Sequence, residues 1–340
     1  MRNSRMQALP LDLAAGMRDK RVLIVGDVML DQYLYGDAER ISPEAPVPVI
    51  HVEEERSYLG GAGNVARNVT ALGGKASLVG IAGEDAAGHV LQELLRLEAI
   101  NAHVPLFPGR VTTVKTRVLA RNQQMLRLDR EKPCPLQQAE EGLILDRLAQ
   151  LALEHEALIL SDYGKGLVSP SFMEALRTLL ASLPRAPLLL VDPRPCSMPL
   201  YQGAYLLTPN LKESAEAVYM PTGTQEAILA AGRAVLARSG ASNLLITLGP
   251  LGMALFSATG EVWRIPTSAQ AVFDVSGAGD TVIGAIALGI AAGMPLLPAC
   301  MLANFAAGVV VAKVGTATAT PDELVQAVTT WPVPDLEKWA

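Results

Sequence analysis

Short apolar runs that alternate with helical patterns restrict the fold of this chain more than any other feature. The first run, Arg21-Val-Leu-Ile-Val-Gly-Asp27, is typical of a buried parallel strand whose end reaches a crevice. Similar runs follow at Ala76–Ala82, Ala157–Asp162, Leu188–Asp192, Ala204–Thr208 and Leu244–Leu248. Between them lie helical patterns at Ala62–Leu72, Ala87–Leu97, Gln137–Leu153, Pro170–Leu180 and Gln225–Ser239. This alternation predicts an α/β fold with a doubly wound, mostly parallel sheet and helices on both faces.

Two segments interrupt that alternation. Residues 36–57 are rich in Pro, Glu and Val, and residues 112–129 alternate polar and apolar side chains without a helical period. Both are typical of strands, and we expect them to form a small separate β-sheet, a lid built from residues of about 33–58 and 111–130.

Residues 21–330 are expected to form the main domain, which includes this lid. Residues 1–20 are interpreted as a leader that packs loosely or is disordered, and residues 331–340 as a C-terminal tail. The leader lacks the apolar core of a signal peptide.

The composition excludes several classes of protein. Half of the residues are apolar and 18% are charged, so a large buried core is available and disorder is not expected. The net charge of −6 gives no basic surface for nucleic acid. Cys134, Cys196 and Cys300 are far apart, which argues against a zinc site or a disulfide framework. A cytoplasmic protein is therefore expected.

Residues 281–312 contain no charged side chain and are long enough to suggest a membrane span. However, the segment is rich in Ala and Gly and is interrupted by Gly293, Pro295 and Pro298. We predict two buried helices here and no insertion into a membrane.

The segment Asp274-Val-Ser-Gly-Ala-Gly-Asp280 indicates the chemistry most directly. Its glycines predict a tight turn into a helix, where free backbone N–H groups favour an anion. An aspartate at that place is suited to accept a proton from a substrate hydroxyl while the backbone amides hold a phosphoryl group. The alternative is that Asp280 only caps the helix.

A second glycine-rich segment lies near the N-terminus. Gly60 and Gly61 precede Asn64 at the predicted start of a helix, and Asp27 and Asp31 follow the first strand. Carboxylates and an amide can bind vicinal hydroxyls, and glycines let the backbone approach a sugar ring. These residues predict a polyol site.

Together, the two glycine-rich segments resemble the paired signature of the PfkB (ribokinase-like) family of carbohydrate kinases. The resemblance covers the chain from Val22 to about Ala327. It implies an ATP-dependent kinase with Asp280 as the general base and with Gly277, Ala278 and Gly279 as the anion hole. It also implies a ribokinase-like fold and a homodimer formed through the β-lid.

Further motifs carry over from this family. Asn210 and Glu213 resemble an element near Mg²⁺ and the phosphates, with Glu213 acting through water; a simple helix-dipole pair is the alternative. Thr247, Gly249 and Gly252 resemble the nucleotide-binding turn, for which a plain hairpin is the alternative.

The resemblance also implies positions around the base of the nucleotide and a monovalent cation. Asn304 and residues 315–320 are expected near the adenine or the cation, and Asp274 is a candidate ligand for K⁺. Many family members have Thr where this chain has Val275, which puts the K⁺ site in question.

Within the family, four segments resemble the heptose 7-phosphate kinases of lipopolysaccharide core biosynthesis: Gly26–Asp31, Ile41–Pro48, Ser161–Gly166 and Val191–Arg194. This resemblance implies conversion of D-glycero-D-manno-heptose 7-phosphate into its 1,7-bisphosphate with Mg-ATP. Many relatives are fused to an adenylyltransferase. Since the chain ends at Ala340 without an H-x-G-H motif, that second activity is expected to be absent.

A phosphorylated substrate requires a second anion site, and the lid offers candidates. A strand period of two predicts that Lys115, Arg117 and Arg121 share one face, where Arg and Lys can bind a phosphate. Lys165 is expected to approach from the opposite wall. The alternative is a charged lid edge that prevents aggregation of strands.

Two other functions remain open at this stage. A kinase of the same fold could act on another sugar, sugar phosphate or nucleoside. A non-catalytic sensor of sugar or nucleotide could have kept the fold, although Asp280 and its glycines argue against a pure binder.

Overall fold

A ten-stranded sheet forms the centre of the structure, a computed structural model that describes residues 16–121 and 123–340. The strands in chain order are β1 (Arg21–Gly26), β2 (Val28–Ile41), β3 (Pro48–Gly61), β4 (Lys75–Val79), β5 (Ala82–Gly83), β6 (Asn101–His103), β7 (Leu106–Phe107), β8 (Thr113–Ala120), β9 (Gln123–Arg130), β10 (Ala157–Ser161), β11 (Leu188–Asp192), β12 (Leu206–Leu207), β13 (Asn243–Thr247), β14 (Met253–Phe256), β15 (Val262–Ile265) and β16 (Glu337–Lys338). The central sheet has the order β16-β15-β14-β13-β12-β11-β10-β1-β4-β6. In this spatial order, the seven strands from β13 across to β6 are parallel to one another. The strands β14, β15 and β16 extend the sheet beyond β13 by antiparallel pairing.

Helices cover both faces of this sheet, as the sequence predicts. They are α1 (Ala62–Ala71), α2 (Ala86–Leu97), α3 (Gln138–Ala152), α4 (Pro170–Ser182), α5 (Leu211–Val218), α6 (Gln225–Ser239), α7 (Ala278–Ala291), α8 (Leu296–Val311) and α9 (Pro321–Thr330). Because side chains alternate along a strand, β1 contributes to two cores. Val22 and Ile24 pack in the core that contains α1, α7 and α8, whereas Leu23 and Val25 pack in the core that contains α3, α4 and α6.

A four-stranded sheet of order β3-β2-β8-β9 forms the lid. The long strands β2 and β3 make an antiparallel hairpin, and β8 pairs in parallel with β2. Only Asp27 separates β1 of the main sheet from β2 of the lid, and β3 runs directly into α1. The lid is therefore joined to the main domain beside the carboxyl end of β1.

The uncharged segment forms the two buried helices that the sequence predicts, α7 and α8. Within residues 16–121 and 123–340, every helix falls short of the length and apolarity that a membrane crossing requires.

Both ends of the described chain pack against the domain. Residues 1–15 of the predicted leader lie outside the described residues, but Met17 is fully buried in the core. Loose packing is therefore wrong for this part of the leader. In the C-terminal tail, Trp263 pairs with Lys338 as β16 extends the main sheet.

Candidate active site

The carboxyl ends of β1 and β10 meet where the order of strands reverses. The chain proceeds from β1 to β4 and β6 on one side of the sheet and from β10 to β13 on the other. Open α/β sheets bind ligands at such a switch point. Gly26 and Ser161 pair at this edge, and the residues that follow each of them lead into one crevice.

Asp280 faces this crevice from the first turn of α7. The side chain is buried, and its two carboxylate oxygens have different donors. Asn64 Nδ2 donates to Oδ2 at 2.6 Å, and Tyr163 Oη donates to Oδ1 at 2.9 Å. The carboxylate thus binds side chains from other elements rather than the N–H groups of its own helix, which argues against a role as a simple helix cap.

Buried polar side chains between α1 and α7 orient Asn64. Thr281 Oγ1 donates to Asn68 Oδ1 at 2.7 Å, and Asn68 Nδ2 donates to the backbone oxygen of Asn64 at 2.9 Å. Asn68 Nδ2 also lies 3.5 Å from Asn64 Oδ1, which leaves the Asn64 amide N–H groups to face Asp280. Satisfied networks of this kind fix side-chain orientation.

The environment of Asp280 is suited to a general base. Burial raises its pKa to about 6, while hydrogen bonds from Asn64 and Tyr163 and the charge of Lys115 oppose that rise. A carboxylate with a pKa near the working pH combines ionisation with useful basicity.

Two cavities meet at the glycine-rich turn before α7. The smaller one, of about 320 Å³, is polar and is lined by Lys115, Asp162, Tyr163, Asp192, Pro193, Arg194, Thr208, Asn210, Glu213, Thr247, Gly277, Gly279 and Asp280. The larger one, of about 710 Å³, is mostly apolar and includes Met253, Val272, Val275, Ala278, Val282, Asn304 and Val311. Asn210, Thr247 and Gly279 line both. A ligand in one cavity can therefore reach a ligand in the other across this turn.

The start of α7 offers backbone donors at the junction. In the described part of the chain, the N–H groups of Gly279 and Asp280 make no hydrogen bond, as expected for the first turn of a helix. The N–H group of Ala278 instead donates to the Val275 carbonyl at 3.2 Å. The predicted anion hole therefore needs a correction: Ala278 lines the larger cavity, but its amide is already bonded.

Asn210 and Glu213 form a reciprocal helix cap at the start of α5. Glu213 N donates to Asn210 Oδ1 at 2.9 Å, and Asn210 N donates to Glu213 Oε2 at 2.8 Å. The contact expected from the alternative interpretation, at the start of a helix, therefore exists. Both side chains also line the polar cavity. Burial raises the pKa of Glu213.

The oxygens of this pair suit Mg²⁺, which prefers oxygen ligands and keeps several waters beside phosphates. No group of three His, Cys, Asp or Glu side chains in residues 16–121 and 123–340 could by itself enclose a metal ion. A nucleotide-borne Mg²⁺ held through Glu213 and water fits this arrangement.

The other residues predicted for the nucleotide line the larger cavity or lie beside it. Thr247, Gly249, Gly252 and Asn304 line it, and the segment between β13 and β14 is also the hairpin of the alternative interpretation. Asp274 lies outside this lining. Its carboxylate accepts hydrogen bonds from the backbone N–H groups of Ser276 and Gly315, at 2.9 and 3.0 Å, and a K⁺ site there stays a prediction.

Asp27 has a structural role that the sequence did not predict. Its carboxylate accepts hydrogen bonds from the backbone N–H groups of Tyr163, Lys165 and Leu167, at 2.9, 2.9 and 3.3 Å. These three bonds join the carboxylate to the loop after β10, so Asp27 anchors that loop. Asp27 lies outside the lining of the polar cavity, and its contact with sugar hydroxyls stays a prediction.

Asp31 and the glycines of β3 lie together at the base of the lid. A Cβ on Gly60 would lie 2.6 Å from Asp31 Oδ2, and one on Gly61 would lie 2.4 Å from the Asp27 carbonyl. Glycine is required at Gly61, where φ is 56° and the backbone approaches closely, whereas an added Cβ at Gly60 would displace the Asp31 carboxylate. Their direct contact with a substrate stays a prediction.

Of the four predicted phosphate-binding cations, only Lys115 lines the polar cavity. Arg117 forms an ion pair with Asp31 at 2.5 Å, and its guanidinium lies over the Tyr33 ring. Lys115 has no carboxylate partner within the described part of the chain, and burial lowers its pKa.

Two more of the predicted cations, Arg121 and Lys165, lie outside the lining of the polar cavity. Arg121 follows the last residue of β8, has a positive φ of 50° and pairs with Asp37 at 2.7 Å. Its predicted place on the strand face is wrong because β8 ends before it. Lys165 pairs with Glu131 at 2.6 Å and lines a separate cavity of about 40 Å³, while burial, followed by the charge of Lys165, lowers the pKa of Lys115. Its place on the opposite wall of the phosphate site stays a prediction.

Sequence reasoning did not assign Tyr163, Asp192 or Arg194 to the site. All three line the polar cavity, and Tyr163 contacts the base. Burial and the nearby charge of Asp280 raise the pKa of Asp192 well above its ordinary value. The available signal was the position of these residues at or just after the ends of β10 and β11, whose carboxyl ends point to the crevice.

Comparison with known proteins identifies the family. The profile described as the pfkB family carbohydrate kinase matches residues 19–323, which is most of the chain. The chain belongs to the PfkB family. Its paired motifs predict this family of carbohydrate kinases.

Related PfkB proteins include longer chains. Bifunctional protein HldE of Rhodospirillum rubrum is 45% identical over 322 residues, which are 93% of this chain and 64% of that protein. Bifunctional protein HldE of Desulfatibacillum aliphaticivorans is 47% identical over 306 residues, or 89% of this chain and 62% of that protein. The chain thus spans less than two thirds of the length of these relatives.

Solved structures confirm the ribokinase-like fold of this PfkB chain. Phosphofructokinase-2 from Escherichia coli, in complex with substrates and products, has a TM-score of 0.75 at 19% identity and covers 91% of this chain and 98% of its own. Arabidopsis thaliana ribokinase, complexed with ribose and ATP, has a TM-score of 0.71 at 20% identity, covering 91% of this chain and 99% of its own. At this identity the likeness concerns the fold alone.

Proposed function

We propose that the protein uses Mg-ATP to phosphorylate the anomeric 1-hydroxyl of D-glycero-D-manno-heptose 7-phosphate, which gives the 1,7-bisphosphate. The observation that carries this proposal is the position of Asp280, which faces the polar cavity while the larger apolar cavity lies across the turn of Gly277 and Gly279. The acceptor sugar occupies the polar cavity and the nucleotide the apolar one. The similarity of segments such as Ser161–Gly166 to heptose 7-phosphate kinases supports the choice of sugar.

The chain's own groups account for the transfer. Asp280 accepts the proton of the acceptor hydroxyl, and the free N–H groups of Gly279 and Asp280 hold the phosphoryl group as it moves. Bound Mg²⁺ supplies charge neutralisation for the phosphates. Glu213 is the residue proposed to hold it through water, with Asn210 beside the phosphates.

The test is release of ADP from Mg-ATP with a panel of acceptors: heptose 7-phosphate, fructose 6-phosphate, fructose 1-phosphate, ribose and adenosine. Selective turnover of the heptose phosphate supports the proposal. Selective turnover of another acceptor keeps the mechanism and overturns the substrate. No turnover of any acceptor would overturn the kinase assignment for this chain and favour the sensor.

Lys115 is proposed to bind the phosphate that the acceptor already carries. Lys115→Met keeps the stem of the side chain beside Tyr163 but removes the charge. We expect the KM for heptose 7-phosphate to rise about 10- to 100-fold, since a hydrogen bond to a charged group contributes about 1.5–3 kcal/mol. The KM for ATP should stay unchanged. Steady-state kinetics with both substrates measures this.

Lys75→Met is the matched control, because Lys75 is exposed and pairs with Asp19 at 2.9 Å, on the amino side of β4. An unchanged KM for the phosphorylated acceptor in Lys115→Met would contradict the role given to Lys115. An equal rise in the KM for ribose, which carries no phosphate, would also contradict this role.

We further propose that two copies of the chain associate through their lids. All eight residues of β9 are exposed, and the apolar side chains Met125, Leu126 and Leu128 are among them. Leu126 and Leu128 lie opposite Val118 and Thr116, on the face of the lid away from Lys115. Light scattering should show a dimer for the wild type and a monomer for the double variant Leu126→Glu, Leu128→Glu; a wild-type monomer would contradict the proposal.

A further inference from the structure

Tyr163 is the residue whose contact with the catalytic base the sequence did not anticipate. Its phenolic O–H donates to Asp280 Oδ1 at 2.9 Å, and Asn64 holds Oδ2 from the other side. Each oxygen of the base therefore has a donor before any substrate arrives. A carboxylate oxygen has room for two donors, so an acceptor hydroxyl can approach Oδ1 while Tyr163 stays in place.

The protein holds the Tyr163 ring in a fixed position. The backbone N–H groups of Tyr163, Lys165 and Leu167 all donate to the buried carboxylate of Asp27. The loop they anchor turns at Gly166, where φ is 114° and an added Cβ would lie 2.0 Å from the Cys134 carbonyl. A contact supported by buried partners of this kind is preorganised rather than incidental.

The ring also lies close to a cation. The ammonium group of Lys115 lies 5.6 Å from the centroid of the Tyr163 ring. The charged and titratable groups that line the crevice around Asp280, or act on it from neighbouring strands, are Asp31, Lys115, Asp162, Tyr163, Asp192, Arg194 and Glu213. Among these groups, Tyr163 donates a hydrogen bond directly to the Asp280 carboxylate.

The direction of this hydrogen bond determines its effect. Burial, followed by the charge of Asp280, raises the pKa of Tyr163 well above its ordinary value, so the phenol stays neutral and acts as a donor. A donor stabilises the ionised carboxylate more than the protonated acid. It therefore opposes the burial that raises the pKa of Asp280 to about 6.

We propose that Tyr163 is a positioning residue that holds Asp280 ionised and rotated so that Oδ1 is presented to the acceptor hydroxyl. This inference rests on the proposed function, in which Asp280 is the base. The proton moves from the acceptor hydroxyl to Asp280 as the oxygen of that hydroxyl bonds to the phosphorus of ATP and ADP leaves. Tyr163 keeps its own proton throughout.

The test is the dependence of kcat/KM on pH for Tyr163→Phe, which removes only the hydroxyl. We expect its acid limb to move to higher pH by about 0.5–1 unit, because the lost bond contributes roughly 1 kcal/mol and one pKa unit is about 1.4 kcal/mol. Activity at pH 6 should then lie about 4- to 11-fold below the high-pH plateau, against about twofold for the wild type. Tyr219→Phe, which alters an exposed tyrosine after α5, should give the wild-type profile.

A second measurement does not depend on activity. Carbon-13 NMR titration of the aspartate carboxyls, with the Asp280 signal assigned by its loss in Asp280→Asn, should show the same upward shift in Tyr163→Phe. A profile and a titration that both match the wild type would overturn the role of Tyr163. If no acceptor is phosphorylated, the proposed function is overturned. The titration still decides in that case whether Tyr163 acts on Asp280.

Discussion

Asp280→Asn is expected to lower kcat by about 10²–10⁴-fold, which is the usual contribution of a general base. The amide has nearly the shape of the carboxylate, and its oxygen can still accept the hydrogen bond from Asn64, so both substrates should bind with affinities near those of the wild type. Release of ADP measures kcat, and calorimetry measures binding of ATP and acceptor. Turnover close to that of the wild type would contradict the assignment of Asp280.

The same variant should differ from the wild type in the pH dependence of its stability. Burial raises the pKa of Asp280 in the folded state to about 6, above its value in an unfolded chain, so the folded state binds the proton more tightly. The contribution of this carboxyl to the free energy of unfolding therefore falls as pH rises from about 4 to 6. Asp280→Asn lacks this pH-dependent loss of stability. Its free energy of unfolding at pH 8 should therefore exceed that of the wild type by about 2–3 kcal/mol.

Thermal unfolding followed by circular dichroism at pH 4.5 and pH 8 checks this second expectation. Asp146→Asn, which changes an exposed aspartate on α3, is the control and should keep both wild-type kcat and stability. A gain in stability together with loss of kcat separates a chemical role of Asp280 from damage to the fold.

The sequence was sufficient for elements whose signals are local. Apolar runs such as Arg21–Gly26 became parallel strands because their length and composition leave few alternatives. The turn before Asp280 became a helix start because Gly277 adopts φ of 77° and an uninterrupted apolar helix follows it. These features depend on residues that are adjacent in the chain, so a single sequence is enough to predict them.

Contacts between distant segments were the part that the sequence could not predict. Asp27 was expected to face a sugar, but its carboxylate anchors a loop more than one hundred residues later in the chain. A strand period of two predicts Arg121 on one face of the lid, whereas a register shift between Val118 and Leu119 and the end of β8 interrupt that period. Tyr163 reaches Asp280 because α7 packs against β10 in the folded domain.

Gly277→Ala is expected to lower kcat by about 10²–10³-fold, the range for loss of one donor in an anion hole. Gly277 has φ of 77°, a conformation that an L side chain rarely adopts. The added Cβ would lie 2.7 Å from Asn64 Nδ2, the atom that donates to Asp280. Either Asn64 moves away from Asp280, or the turn moves and displaces the N–H groups of Gly279 and Asp280.

Gly293→Ala separates this effect from backbone strain. Gly293, between α7 and α8, has φ of 84°, and a Cβ there would have no atom within 4 Å. It should therefore lose only about 1–2 kcal/mol of unfolding free energy, the strain of a left-handed residue, and keep its kcat. If both variants lost the same stability and both kept kcat, the turn at Gly277 would be structural only. A loss of kcat confined to Gly277→Ala, measured by ADP release beside thermal unfolding, would show that the catalytic base and the phosphoryl-binding amides depend on this one glycine.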